Sequence, residues 1–373
     1  MSLKINDNDV VKKRLPKLSV SKTYIFLCVN FKFLVMPNKP ATIKDIAKAL
    51  KVSISTVSKA LHNHPNIGAI TKERVLAMAK QLDYTPNITA IQFKQQKTFT
   101  LGIIVPTLLD HFYIHAVNGF EEVASKAHYT VLIGQNQESL QREKELVSVM
   151  QGNRIDGLLI AMSKETSNLD HLRKLERAGI PVMFFARKPV NETYSCVSSD
   201  VYHAAKDAVD LFVSRGHQRI AIINGPSHWT TSRDRYLGYR DGLLKNGLSP
   251  DQELICESDL TTTDNYKVLR KLMRLTDPPT AMLLFKDYLM LDIMTCLRTE
   301  FPNRYLITEL IGYGALPLFS HFERPPLASL KEQPFQIGVK AGSLLLDMIK
   351  NPHQSRKPKL ISLPCKLHYF KEL

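Results

Sequence analysis

The chain has 373 residues, 44% hydrophobic and 23% charged, which suits a folded protein of two to three domains and excludes a disordered or collagen-like chain. Lys and Arg number 50 against 35 Asp and Glu, for a net charge of +15, and residues 1–97 alone carry +12 of it. A basic module on a near-neutral body calls for an anionic partner for that module, with nucleic acid and an anionic membrane both qualifying.

In chain order, residues 1–35 hold Lys12, Lys13, Arg14, Lys17 and Lys22 ahead of an apolar run from Tyr24 to Met36. The pattern has the outline of a secretory signal, but no small-residue cleavage site follows. The expectation is that translation starts at Met36 and that residues 1–39 are a disordered or mis-started extension. No apolar run reaches the ~18 residues that span a bilayer. Cys28, Cys196, Cys256, Cys296 and Cys365 are scattered without a CxxC pair, so reduced thiols are expected rather than disulfides or a metal site.

Residues 40–85 read as a small helical domain. Ile43, Ile46, Ala47 and Leu50 form one helix face, with Thr42 as N-cap. A short link leads to a second helix over 55–61, and a third over 70–82 places Val75, Leu76, Ala79 and Leu82 on one side. Two short helices joined by a tight turn and braced by a third make a helix-turn-helix. The outward residues of the second helix are Ile54, Ser55, Thr56, Ser58 and Lys59. Small hydroxyls bond phosphate without blocking close approach, and Lys reaches a phosphate or a base edge. A plain three-helix bundle would favour stronger helix formers there. Pro86 ends the third helix, and residues 86–98 form a linker too short to be a stable helix alone.

From residue 99 the chain alternates apolar runs with amphipathic stretches. Strands are expected at 100–105, 129–133, 157–161, 181–185, 220–224, 254–256, 281–285 and 306–311. Helices are expected at 113–127, 138–151, 202–214, 233–245 and 334–349. The alternation implies an α/β body of two Rossmann-like lobes with parallel sheets. Ligands in such folds sit beyond the carboxyl ends of the strands. GxSxG, Walker, HExxH and GxGxxG signatures are absent, so an enzyme is not expected, nor a cofactor or a metal.

Thr42-Ile43-Lys44-Asp45-Ile46-Ala47, then 52–61 (VSISTVSKAL), then Tyr84-Thr85-Pro86-Asn87 resemble the lactose/galactose-repressor family of bacterial transcription regulators. The body continues the resemblance with 101–106 (LGIIVP), Arg154-Ile155-Asp156-Gly157, Arg215-Gly216-His217 and Glu332-Gln333-Pro334. The resemblance implies a helix-turn-helix domain on a two-lobed periplasmic-binding-protein-like core, 99–373. Its lobes would be 99–198 plus 327–355, and 199–326 plus 356–373. It implies base contacts from Ile54, Ser55 and Lys59, where most members carry Arg. Phosphate contacts would come from Thr42, Ser53, Thr56, Ser58, His62 and Thr71. A hinge segment with Asn87, Ala90 and Phe93 would order in the minor groove, Phe93 acting as the wedge.

For the cleft the resemblance implies Asp110, Phe112, Tyr113, Arg187, Asp200, Trp229, Arg233, Lys286 and Asp287, with Arg235 structural. Ala186, Val201, Lys286 and Gly314 depart from the family's usual polar residues. Lys286 and Arg187 would then favour an acidic sugar or sugar phosphate, the alternative being a cleft that has lost its effector. The expected protein is a cytoplasmic, nucleoid-associated homodimeric repressor. Its partners would be a palindromic double-stranded DNA operator and a sugar-like effector, with no membrane. An exported sugar receptor is the rival, but it leaves residues 42–95 unexplained.

Overall fold

The computed structural model describes residues 41–85, 97–189, 194–352 and 357–370. The expected extension 1–39, Cys28, and the hinge residues Asn87, Ala90 and Phe93 lie outside them. The chain divides into two compact units, one ending at Ala90 and one beginning at Ile91.

The first unit holds α1 (Ile43–Leu50), α2 (Ile54–Leu61) and α3 (Ala69–Gln81). The Asp45 carboxylate accepts from the Thr42 backbone N–H at 2.8 Å and from its hydroxyl at 2.7 Å, which fixes the first turn of α1. Lys51 closes α1 in the left-handed region at φ 53°, making the tight turn. Ser53 caps α2 by accepting from the Thr56 N–H at 3.0 Å. Ile46, Val57 and Val75 are fully buried between Ala47, Ala60 and Ala79, whose small side chains let the helices approach. Leu76 does not join them: it is 54% exposed, and Met78 and Leu82 complete the inward face instead.

The second unit contains two six-stranded sheets. The first is built of β1 (Thr100–Val105), β2 (Thr130–Gln135), β3 (Gly157–Ile160), β4 (Val182–Phe185), β5 (Cys196–Asp200) and β11 (Leu360–Pro364), in the order β11-β5-β4-β3-β1-β2. All its pairings are parallel. The second is built of β6 (Ile220–Asn224), β7 (Ile255–Glu257), β8 (Ala281–Leu284), β9 (Glu309–Tyr313), β10 (Ala328–Lys331) and β12 (Lys366–His368), in the order β12-β10-β9-β8-β6-β7. Only its β10–β12 pair is antiparallel.

The flanking helices are α4 (His111–Lys126), α5 (Leu140–Gly152), α6 (Asp170–Arg177), α7 (Val201–Ser214), α8 (Thr230–Lys245), α9 (Thr262–Met273), α10 (Asp287–Glu300), α11 (Pro302–Tyr305) and α12 (Pro334–Lys350). The central strands are buried almost throughout, as strands covered by helices on both faces must be. In the first lobe α4 lies tightly on α12. A Cβ on Gly338 would stand 2.0 Å from the Ala116 carbonyl oxygen, and one on Gly119 equally close to that of Phe335.

The strand expected at 306–311 begins three residues later, because α11 ends at Tyr305 and residues 306–308 form the turn that leaves it. Strands β5 and β10 were not expected: Cys-Val-Ser-Ser-Asp and Ala-Ser-Leu-Lys lack a long apolar run, although both are buried. The lobe boundaries also move. Residues 328–331 pair with β9 in the second sheet, and 360–364 pair with β5 in the first. The outer strands β11 and β12, from the last residues of the chain, go to different sheets, which sequence order alone does not reveal. Cys196, Cys256, Cys296 and Cys365 are free, and burial pushes the Cys196 thiol up to about 12. No helix among the described residues is long and apolar enough to cross a membrane.

Candidate nucleic-acid interface and effector cleft

The first unit presents a row of small polar groups. The Ser53 hydroxyl lies 2.8 Å from those of Ser55 and Thr56, so three hydroxyls cluster at the amino end of α2. Ile54 beside them is 46% exposed, although it is a large apolar residue. Lys59 is exposed one turn on, and no ion pair among the described residues involves it. His62 places Nδ1 2.8 Å from the Ser58 carbonyl oxygen, which keeps its ring against the helix end. Thr42 is exposed with its hydroxyl donated to Asp45, and Thr71 is partly buried in the first turn of α3. Helix amino termini attract anions through their free N–H groups. Short hydroxyl side chains there leave a phosphate room to approach.

In the second unit a cavity, about 590 Å³ of empty space with its open mouth included, lies where the strands of both sheets end. Phe112 and Tyr113 reach it from α4, Arg187 follows β4, and Ser199 closes β5. From the other lobe come Trp229, Thr231, Arg235, Leu260, Phe285 and Lys286. Glu138 and Glu332 complete its polar lining. Ala186 adopts φ 62°, a left-handed conformation that turns the chain after β4 and delivers Arg187 to the cavity.

The charges of this cavity are matched. Arg187 grips Glu138 with two N–H groups, at 2.7 Å and 2.6 Å, and donates to the Met162 carbonyl. Burial alone would raise the Glu138 pKa, but the Arg187 fork outweighs it and holds the carboxyl below its ordinary value. Lys286 pairs with Asp110 across the cleft. Burial disfavours its charged form, yet Asp110 reverses the sign and the amine is held above its usual pKa. Glu332 accepts from the Ser199 hydroxyl at 2.6 Å. Arg235 is 4% exposed and lies between the rings of Phe285 and Tyr313, with no carboxylate at ion-pair distance among the described residues. Two buried donors that line this cavity, Arg235 Nε and Trp229 Nε1, have no acceptor there.

Phe112, Tyr113, Arg187, Trp229 and Lys286 therefore meet as expected. Four expected cleft residues do not line the cavity. Asp110 lines a smaller adjoining cavity instead, and from there pairs with Lys286. Arg233 points to solvent, because α8 turns Arg235 inward. Asp200 caps α7 and pairs with His203 at 2.8 Å, lining neither cavity at this end. Asp287 is 1% exposed and accepts from the Ser329 hydroxyl and the Leu316 N–H, so it anchors the β9–β10 loops beside that smaller cavity. The argument for an acidic effector also fails, since Lys286 and Arg187 are both neutralised by carboxylates of the chain. Glu138, Ser199, Thr231, Phe285 and Glu332 were missed, and Arg235, expected to be structural, lines the cavity. For Arg235 a signal existed: Arg235, Gly238, Tyr239, Gly242 and Leu243 fall at helical spacing and are all buried.

Comparison with known proteins covers both units. Residues 98–372 match periplasmic binding proteins and the sugar binding domain of the LacI family, and residues 42–87 match bacterial regulatory proteins of the lacI family. The HTH-type transcriptional repressor CytR of Escherichia coli (strain K12) is 30% identical over 322 residues, spanning 86% of this chain and 93% of the relative. The lac repressor dimer bound to operator and the anti-inducer ONPF superposes with a TM-score of 0.74 at 22% identity, covering 88% of this chain and 98% of that one. The regulator CelR in complex with cellobiose gives a TM-score of 0.65 at 24% identity with the same coverage.

Proposed function

The chain belongs to the LacI family of bacterial regulatory proteins, and from that premise we propose that it is a repressor whose homodimer binds a palindromic operator under the control of a sugar-like effector. The observation that carries the DNA-binding part is the exposed amino end of α2, where Ser53, Ser55 and Thr56 cluster beside exposed Ile54 and Lys59. Two copies of such a helix read two half-sites related by the dimer axis. Lys59 takes the base-edge or phosphate contact; it lacks the planar fork that lets Arg read guanine bidentately. Residues 86–98, with Asn87, Ala90 and Phe93, serve as the hinge that enters the minor groove. The protein acts in the cytoplasm, on the chromosome.

The effector is a carbohydrate or sugar derivative held in the cavity between the lobes. Aromatic faces of Phe112, Trp229 and Phe285 suit the C–H surface of a pyranose. Arg235 Nε and Trp229 Nε1 lack acceptors that ligand hydroxyl oxygens would supply, and Glu332 accepts from hydroxyl hydrogens. Binding there shifts the populations of two core conformations and so changes operator affinity. The relatives whose complexes hold an operator or cellobiose support this division of labour.

Genomic footprinting of the full chain tests the reading. Bound sites should carry an inverted repeat, and binding should weaken steeply with salt. Bound sites without two-fold symmetry, or affinity indifferent to salt, would count against it.

A further inference from the structure

The lobes of the second unit are tied together by contacts that involve no ligand. Lys286, just past β8, reaches Asp110, just past β1. Beside them the Tyr288 hydroxyl lies 3.2 Å from the Leu109 carbonyl oxygen and 3.3 Å from the His111 backbone nitrogen. On the opposite rim Lys188 pairs with Asp234 at 2.9 Å. We propose that Asp110 and Lys286 form a charge clasp that holds the cleft shut without an effector, so that an effector acts on this chain by competing for the clasp.

The placement of the pair supports this. Its side chains are 13% and 29% exposed, at the wall of the cavity and not on open surface. Lys286 Nζ also lies 5.6 Å from the Tyr113 ring centre, a second favourable contact that the open cleft would lose. In an open cleft both charges would return to water. In the closed one each is partly dried and depends on the other, so removing one partner leaves a charge stranded. A ligand hydroxyl pair that satisfied Asp110 and a ligand oxygen that satisfied Lys286 would replace the clasp without reopening the cleft. A poorly fitting ligand would release it.

The inference rests on the cleft being the effector site, and its test is independent of DNA. Trp229 is the chain's single tryptophan, it lines the cavity, and Arg187 of the other lobe stacks 4.5 Å above its ring. Acrylamide quenching of the full-length protein without ligand therefore reads cleft opening. The expected result is a shielded Trp229 at low salt and about a twofold higher quenching constant in Asp110→Asn and Lys286→Met, because each leaves the other group unpaired. The exchanged pair Asp110→Lys with Lys286→Asp should recover most of the shielding. Molar salt should move the wild type further than Asp110→Asn, which keeps only the Lys188–Asp234 pair to be screened. Lys188→Met, which removes that second pair, should leave most of the wild-type salt response in place, so the clasp is tested even if a clasp variant misfolds. A wild-type quenching constant that is already high, or that ignores salt, overturns the clasp. Failure of operator binding with the quenching pattern intact would sink the repressor reading and leave the clasp standing.

Discussion

The Arg235 guanidinium lies 4.2 Å from the ring centre of Tyr313, and Phe285 takes its other side at 4.3 Å. The cation is thus held by two aromatic faces instead of a carboxylate, and its charge stays available to the cavity it lines. Burial meanwhile pushes the Tyr313 phenol far above its ordinary pKa, so the ring stays neutral.

Replacing Arg235 by Ala should cost about 2 kcal/mol or more of stability, because a desolvated cation–π contact is lost on both sides and a void remains. Arg233→Ala, two positions away on the exposed face, should change it by less than about 0.5 kcal/mol. Urea unfolding of both variants checks this. Equal effects would mean that the helix is rotated from the phase described.

Lys59→Ala should weaken operator binding by about 1–3 kcal/mol if the amine reads a base edge. If it contacts only phosphate, the loss should instead be uniform across sequences, and the salt slope should fall by about one. Binding isotherms on operator and random duplex, each at several salt concentrations, separate these results. No change on either duplex would remove Lys59 from the interface.

Burial pushes the Asp287 carboxyl up to about 6, against the hydrogen bonds from Leu316 and Ser329 that oppose it. Its folded pKa lies above the unfolded value of about 3.9, so the folded state holds the proton more tightly. The resulting stabilisation is full below about pH 3.9 and is lost as pH rises through about 6, by up to about 3 kcal/mol. Asp287→Asn should flatten that window. Unfolding free energies measured at the two ends of it, in both proteins, give the answer; an unchanged slope in the variant would assign the pH dependence elsewhere.

Gly338→Ala should destabilise by about 1–3 kcal/mol, because a Cβ there meets backbone of α4 that has nowhere to move. Gly152, near the end of α5, has nothing within 4 Å of an added Cβ. Gly152→Ala should be neutral or stabilising by up to about 1 kcal/mol. Thermal midpoints of the pair test whether the α4–α12 approach is as close as described.

The helix-turn-helix was legible because its determinants are local. Thr42 and Asp45 start α1, Ser53 starts α2, and each helix carries its own inward pair, Ile46 with Ala47, Val57 with Ala60 and Val75 with Ala79. Leu76 misled because it stands about 100° round the helix from Val75, and only packing decided that Val75 and not Leu76 faces inward. The parallel α/β body was legible from its alternation for the same reason, since each buried strand and each helix carries its own pattern.

The chemistry of the cleft was not local. Asp110 and Lys286 are 176 residues apart, and Glu138 and Arg187 are 49 apart. Their charges cancel only where two sheets bring their carboxyl ends together. Sequence alone determined the architecture and five of the side chains that line the cavity, Phe112, Tyr113, Arg187, Trp229 and Lys286. The tertiary structure decided which others face the cavity and which charges remain unspent, because helix phase and ion pairing are set by packing between segments that sequence order keeps apart.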